Sequence, residues 1–284
     1  MDPRIRQTRR FAGLAGLTIA LWIVAQPDPG QQVWILAPAV ALLGLPHGAM
    51  DLPIARRTWR LEGPSGLLRF AAGYLGLAAL VVGLWWLLPG VALAGFLAYS
   101  AVHFSTDWSD LARPWRFAGG LSSVGAPALL NPDAVTRIFG QLAPVDAASL
   151  ITPALGLGGV AGLACLAWAM AVHRAPRPFA ELAVIWIAAA ALPPLVYFVV
   201  YFCGLHSPRH LASTLTDLQW DRRALRQAAV VTAVTVVGAG IAAVALATRH
   251  AVDAALIKTV FIGLAALTVP HMLLVEHWDR KRTG

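Results

Sequence analysis

Eight histidines occur in this 284-residue chain, and their positions carry most of its chemical information. Five lie inside or at the end of apolar segments: His47, His103, His206, His210 and His271. An ionisable side chain costs free energy in an apolar segment, so each is a candidate for chemistry or for a hydrogen bond between helices. His206 and His210 stand four residues apart, which puts both on one face of a helix, as a two-point metal clip requires. The same offset recurs from His47 to Asp51 and from His103 to Asp107. Those aspartates have three readings: orienting a ligand histidine, ligating a metal themselves, or marking helix ends. Pro46, Pro208 and Pro270 adjoin these histidines and predict distorted helices that free backbone carbonyls beside a buried cavity. His173 is expected in a loop with Arg174, His250 in another, and His277 at the end of the last helix, all solvated or interfacial.

The elements that must position these groups are transmembrane helices. The chain is 58% hydrophobic and 13% charged, with mean hydropathy +0.67, whereas soluble domains run nearer a quarter charged. The predicted fold is all-α: a polytopic helix bundle forming one integral membrane domain over residues 1–284. Spans of about 20 apolar residues fall near 11–26, 32–52, 67–88, 91–109, 117–130, 153–173, 179–192, 195–216, 227–247 and 254–276. Breaks come at Pro27-Asp28-Pro29-Gly30, Pro89-Gly90 and Pro193-Pro194. Ten segments result, or eight if the short ones at 117–130 and 179–192 do not cross. The arginines before Phe11–Ala25 resemble those of a signal peptide, but no small-residue cleavage site follows, so a first transmembrane helix is expected.

Charge placement decides the topology. The net charge of +8 does not gather on one basic face, so it indicates no nucleic-acid partner. With the N-terminus inside, the predicted cytoplasmic stretches hold Arg4, Arg6, Arg9, Arg10, Arg56, Arg57, Arg60, Arg174, Arg222, Arg223, Arg226, Arg280, Lys281 and Arg282, among others. The opposite side receives Arg137, Arg249 and Lys258. That asymmetry predicts ten crossings with both termini cytoplasmic. The four histidine-bearing segments then run in one direction, with their histidines about 11 to 17 residues from the outer end. At roughly 1.5 Å per residue this is one depth, in the cytoplasmic half. Residues 131–152 form the longest external connection, the glycines at 156, 158 and 159 suit close helix packing, and Cys165 and Cys203 read as small packing residues.

Imidazole ligands suit iron, copper, zinc or nickel. Phe104, Trp108, Tyr197, Phe198, Tyr201 and Phe202 flank the histidines and are either ordinary core or the lining of a tunnel for an elongated apolar molecule.

The segments Pro46-His47-Gly48-Ala49-Met50-Asp51, His103 with Asp107, His206-x3-His210 and the closing Pro270-His271-Met272-Leu273-Leu274-Val275 resemble the Brp/Blh family, in the family's order and across nearly the whole chain. These are bacterial and archaeal membrane β-carotene 15,15′-dioxygenases. The resemblance implies a non-haem Fe(II) enzyme of the prokaryotic plasma membrane that cleaves the central double bond of β-carotene with O2, giving two retinal molecules. Carried over by motif, the iron ligands and catalytic residues are His47, His103, His206 and His210. His271 matches the terminal motif, as a residue that orients a ligand, as an additional ligand or as a gate to the site, and the implied partners are the lipid bilayer, the polyene and O2. Met50 departs from the leucine more usual there.

Four other classes compete. A membrane di-iron hydroxylase or desaturase would show HxxHH boxes, and the chain has no adjacent histidine pair, although Asp51 and Asp107 could supply ligands. A haem-binding membrane protein explains histidines on separate helices but not the clip at His206 and His210. A retinal photoreceptor needs a lysine deep in a helix, and Lys258 lies near an outer end, where snorkelling explains it. For a transporter, the histidines would serve as proton relays.

Overall fold

A computed structural model of the chain describes residues 3–59, 61, 63–173 and 176–283. Arg60 and Arg174, counted above among the cytoplasmic charges, lie outside the described residues. Among the described residues every regular element is helical. The α-helices are α1 (Pro3–Ala25), α2 (Pro29–Ala39), α3 (Leu45–Gly48), α4 (Asp51–Trp59), α5 (Gly63–Leu87), α6 (Pro89–Phe104) and α7 (Arg113–Leu130). They continue as α8 (Pro132–Leu142), α9 (Val145–His173), α10 (Pro176–Ala191), α11 (Pro194–Tyr201), α12 (Ser207–Asp217), α13 (Arg222–Ala247) and α14 (Val252–Thr283). Each of the ten predicted segments is occupied by helix. Six helical stretches are long and apolar enough to cross a membrane: Arg4–Ala25, Pro29–Trp59, Gly63–Leu87, Val145–Val172, Arg222–Ala247 and Val252–Lys281. The connection expected over 131–152 is instead mostly helical, because Pro132 starts α8 and α9 begins at Val145.

Local chemistry sets the joints. Asp28 and Gln31 form a reciprocal capping box at the start of α2, the Gln31 N–H donating to Asp28 Oδ1 (2.9 Å) and the Asp28 N–H to Gln31 Oε1 (3.0 Å). Two π-helical segments, Val40–Gly44 and Phe202–His206, each end two residues before a proline, Pro46 and Pro208. Proline has no N–H and crowds the carbonyl four residues back, so the helix widens there to five-residue bonds. The Leu45 N–H accordingly donates to the Val40 carbonyl, and the Ser207 N–H to the Phe202 carbonyl. Pro270, by contrast, sits inside an unbroken α14.

Two compact units make up the chain. The first comprises Met1–Leu36 and Leu93–Arg209. Its centre is the α7–α9 crossing, where a Cβ on Gly125 would lie 2.5 Å from the Gly159 Cα and one on Gly162 2.4 Å from the Ala118 carbonyl oxygen. Glycines at such crossings let helix backbones touch where burial of apolar surface in lipid cannot drive association. Gly119 and Gly120 do the same beside the site: the Trp108 ring covers Gly119, and a Cβ on Gly120 would meet the Ala101 carbonyl oxygen at 2.0 Å. Ala101 stands two residues before His103. Gly120→Ala is therefore expected to cost about 1–3 kcal/mol through overpacking and to displace α6, read as a lower thermal midpoint in detergent. An unshifted midpoint would show that α6 can move aside. A charged cluster ties Arg4 of α1 and Arg177 of α10 to Asp110, at 3.2 and 2.5 Å. Partial burial pushes the Asp110 carboxyl up, but Arg177 and then Arg4 outweigh it and hold it below its ordinary value.

The second unit comprises Ala37–Ala92 and His210–Gly284. Here α14 packs on α4, α5 and α13, around buried Met50, Ile54, Leu215, Leu218 and Leu274. The apolar window of α13 has no buried residue, and Val230, Val234, Val237, Ile241 and Val244 are exposed, as a face bathed in lipid would be.

Candidate metal centre

All five intramembrane histidines are described. His47, His103, His206 and His271 are buried, and His210 is partly buried.

In the first unit, His103 closes α6 and His206 closes the π-helical segment before Pro208. Their Nε2 atoms lie 3.0 Å apart. Two imidazoles bound side by side on one ion at about 2.1 Å each would put their nitrogens about 3 Å apart, so this pair fits a metal. His206 is fully buried, and its Nδ1 faces both carboxylate oxygens of Asp107, at 3.2 and 3.3 Å. Tyr201 of α11 donates its hydroxyl to Asp107 Oδ2 at 2.8 Å. With Nδ1–H committed to the carboxylate, the His206 lone pair is at Nε2, the side where His103 stands. Phe104 meets the His206 ring edge-on at 4.7 Å and excludes water from it.

A buried charge network supports this half. Glu181 of α10 is fully buried and accepts from Arg209 at 2.6 Å, Arg177 at 3.1 Å and the Thr8 hydroxyl at 2.5 Å. Arg209 also donates to the Asp107 backbone carbonyl at 2.8 Å, so the network braces the turn that carries Asp107.

In the second unit, His47 of α3 donates from Nδ1 to the Gly44 carbonyl at 2.5 Å, an oxygen beside the π-helical break that Pro46 imposes. His47, His210 and His271 have ring centres 5.6, 5.5 and 5.3 Å apart, in mutually edge-on pairs. His271 Nδ1 lies 2.6 Å from Asp51 Oδ1, and Tyr74 of α5 donates to Asp51 Oδ2 at 2.7 Å. A cavity of about 940 Å³ in this unit is lined by Tyr74, Phe70, Leu77, Leu273, Leu274 and Pro270 among others, with Arg69 and His277 on its wall.

Both aspartates bond to histidines from other helices, although each follows a histidine by four residues on its own: Asp51 goes to His271 and Asp107 to His206. Of the six aromatic residues offered for a tunnel, Phe198 is partly buried and the other five are buried: Trp108 packs on Gly119, Tyr197 donates to the Ser123 carbonyl at 2.7 Å, Tyr201 donates to Asp107, and Phe104 faces His206. His277 differs from expectation: it stacks on Trp59 at 5.4 Å and its Nε2 is buried, because the end of α14 lies against α4. His250 is exposed, 3.1 Å from Lys258 Nζ. Tyr74, Glu181 and Arg209 were not singled out from sequence. A lone carboxylate in an apolar stretch, as Glu181 is over 179–192, was the available signal.

His103 and His206 in the first unit, and His47 in the second, are buried imidazoles of the kind that hold metal ions. A family model for β-carotene 15,15′-dioxygenase matches residues 33–279. The chain belongs to that family. Among its relatives in the β-carotene 15,15′-dioxygenase family, a protein of that name from the uncultured marine bacterium 66A03 is 34% identical over 272 residues, covering 86% of this chain and 92% of its own length. The "probable beta-carotene 15,15′-dioxygenase Blh" of Halobacterium salinarum is 25% identical over 332 residues, covering 99% and 96%. No solved structure matches the chain.

Proposed function

We propose that this chain is a non-haem Fe(II) dioxygenase of the plasma membrane that cleaves the central double bond of β-carotene to two molecules of retinal. The observation that carries the reading is the buried His103–His206 pair, with nitrogens at ligand spacing, in a chain whose family is named for this cleavage. Each carbon of the broken double bond takes one oxygen of O2, so no external reductant is needed.

His47, His103, His206 and His210 are proposed as the iron's ligands. Neutral imidazoles leave the ion its full charge, and an iron so held supplies the redox chemistry toward O2. The chain's own residues do the rest. Asp107 and Tyr201 fix the ring of His206. Phe104, Trp108, Tyr197 and Tyr201 are proposed as the apolar wall beside the metal, and the cavity under Tyr74 is a space of the right character for one arm of the polyene. Positioning then selects which double bond reacts. Entry from the bilayer follows from the substrate's insolubility in water.

The proposed topology is ten crossings of one membrane domain, with both termini cytoplasmic. Bonds within each unit support it. Arg4, Asp110 and Arg177 meet, and so do Arg57 with the Asp217 carbonyl and Lys281 with the Thr58 carbonyl, all from stretches assigned to the cytoplasm by charge.

The test is expression in β-carotene-producing cells, followed by extraction and chromatography. Loss of colour with retinal as the product is expected. Intact β-carotene beside verified, iron-loaded protein would sink the substrate assignment, and two irons per chain would favour the di-iron class.

A further inference from the structure

The two buried aspartates head the same device built twice. In one, Tyr201 donates to Asp107 Oδ2 and Asp107 faces Nδ1 of His206. In the other, Tyr74 donates to Asp51 Oδ2 and Asp51 Oδ1 faces Nδ1 of His271. Asp51 is 4% exposed and His271 3%, so the carboxylate–imidazole pair of this second relay is buried, as that of the first is. A carboxylate on Nδ1–H is the arrangement that fixes the tautomer and ring direction of a metal-bound histidine. It leaves the lone pair on Nε2, on the ring edge away from Asp51.

The neighbours of that ring agree. An ion ligated by Nε2 lies about 3.2 Å from the ring centre, so imidazoles about 110–120° apart around it have centres about 5.2–5.5 Å apart. The His271 ring centre is 5.5 Å from that of His47 and 5.3 Å from that of His210. His47 also has its Nδ1 committed, to the Gly44 carbonyl, so its lone pair is at Nε2 too.

We propose that His271 is a fifth histidine ligand of the metal, with Asp51 and Tyr74 as its positioning residues. The inference rests on the metal-centre reading above. It gives the terminal Pro270-His271 motif a role equal to that of the His206-x3-His210 clip.

The discriminating variant is His271→Asn. Its side-chain amide can take the place of Nδ1–H against Asp51, so a purely structural role survives, while the Nε2 lone pair is lost. Iron affinity of the purified full chain is expected to fall at least 100-fold, and millimolar imidazole is expected to restore part of it. The Co(II)-loaded protein is expected to show a changed visible ligand-field spectrum. Tyr74→Phe keeps all ligands and should lower iron affinity about 10-fold, the range of loss for a residue that orients a ligand, with the Co(II) spectrum of the parent. Parent-like iron affinity and Co(II) spectrum in His271→Asn, alongside metal loss in His206→Ala, would overturn this inference and leave the four-histidine centre standing. Retention of iron by His206→Ala as well would overturn both.

Discussion

His206→Ala is expected to strip the protein of iron and to abolish retinal formation. The His206 side chain is well placed to bind a metal: it is fully buried, its Nε2 is 3.0 Å from that of His103, and its Nδ1 is committed to Asp107. Alanine removes a proposed ligand and also leaves the Asp107 carboxylate without its imidazole partner. Iron per chain by mass spectrometry and retinal by chromatography are the measurements. Asp107→Asn is the graded control: it keeps every histidine but weakens the orienting bond, and a 10–100-fold loss of iron affinity is expected. A folded His206→Ala protein that keeps its iron and its product would remove His206 from the centre.

The second large effect is on stability, from Glu181→Ala. Arg209, Arg177 and Thr8 converge on this fully buried carboxylate, and Arg209 carries the network to the Asp107 backbone. Removing one partner of a buried pair leaves an uncompensated charge and costs about 3–5 kcal/mol. A large drop in thermal midpoint is expected, with iron loss following because the Asp107 turn loses its brace. Glu181→Gln keeps hydrogen-bond acceptance and should fall between. If Glu181→Ala melts like the parent, water must reach Arg209 and replace the carboxylate.

Much of this was legible in the chain before any coordinates. The helical, membrane-spanning character follows from composition, because a backbone in lipid must satisfy its own hydrogen bonds. The helix breaks at Pro27–Gly30, Pro89 and Pro193-Pro194 were readable because proline has no N–H to donate and favours the first turn of a new helix. The helix distortion before Pro46 was readable for the same reason, although the bond from His47 Nδ1 to the Gly44 carbonyl was not. The short helix α8 was missed because its eleven residues, flanked by Asn131-Pro132 and Ala143-Pro144, lack the length of a span.

Sequence by itself determined the element class, the family through its four motifs, and which histidines are candidates, since a histidine in an apolar helix is costly enough to stand out. Tertiary structure alone decided the partners. Asp51 and Asp107 stand four residues after His47 and His103, a spacing that invites an intrahelical pairing, yet their bonds go to His271 and His206. Tyr74 and Glu181 entered the site only through contacts spanning 23 and 28 residues, to Asp51 and Arg209. Periodicity in a chain fixes which residues share a helix face. It carries no record of which other helix that face will meet, and hydrogen bonds between helices are formed only once packing has brought them within about 3 Å.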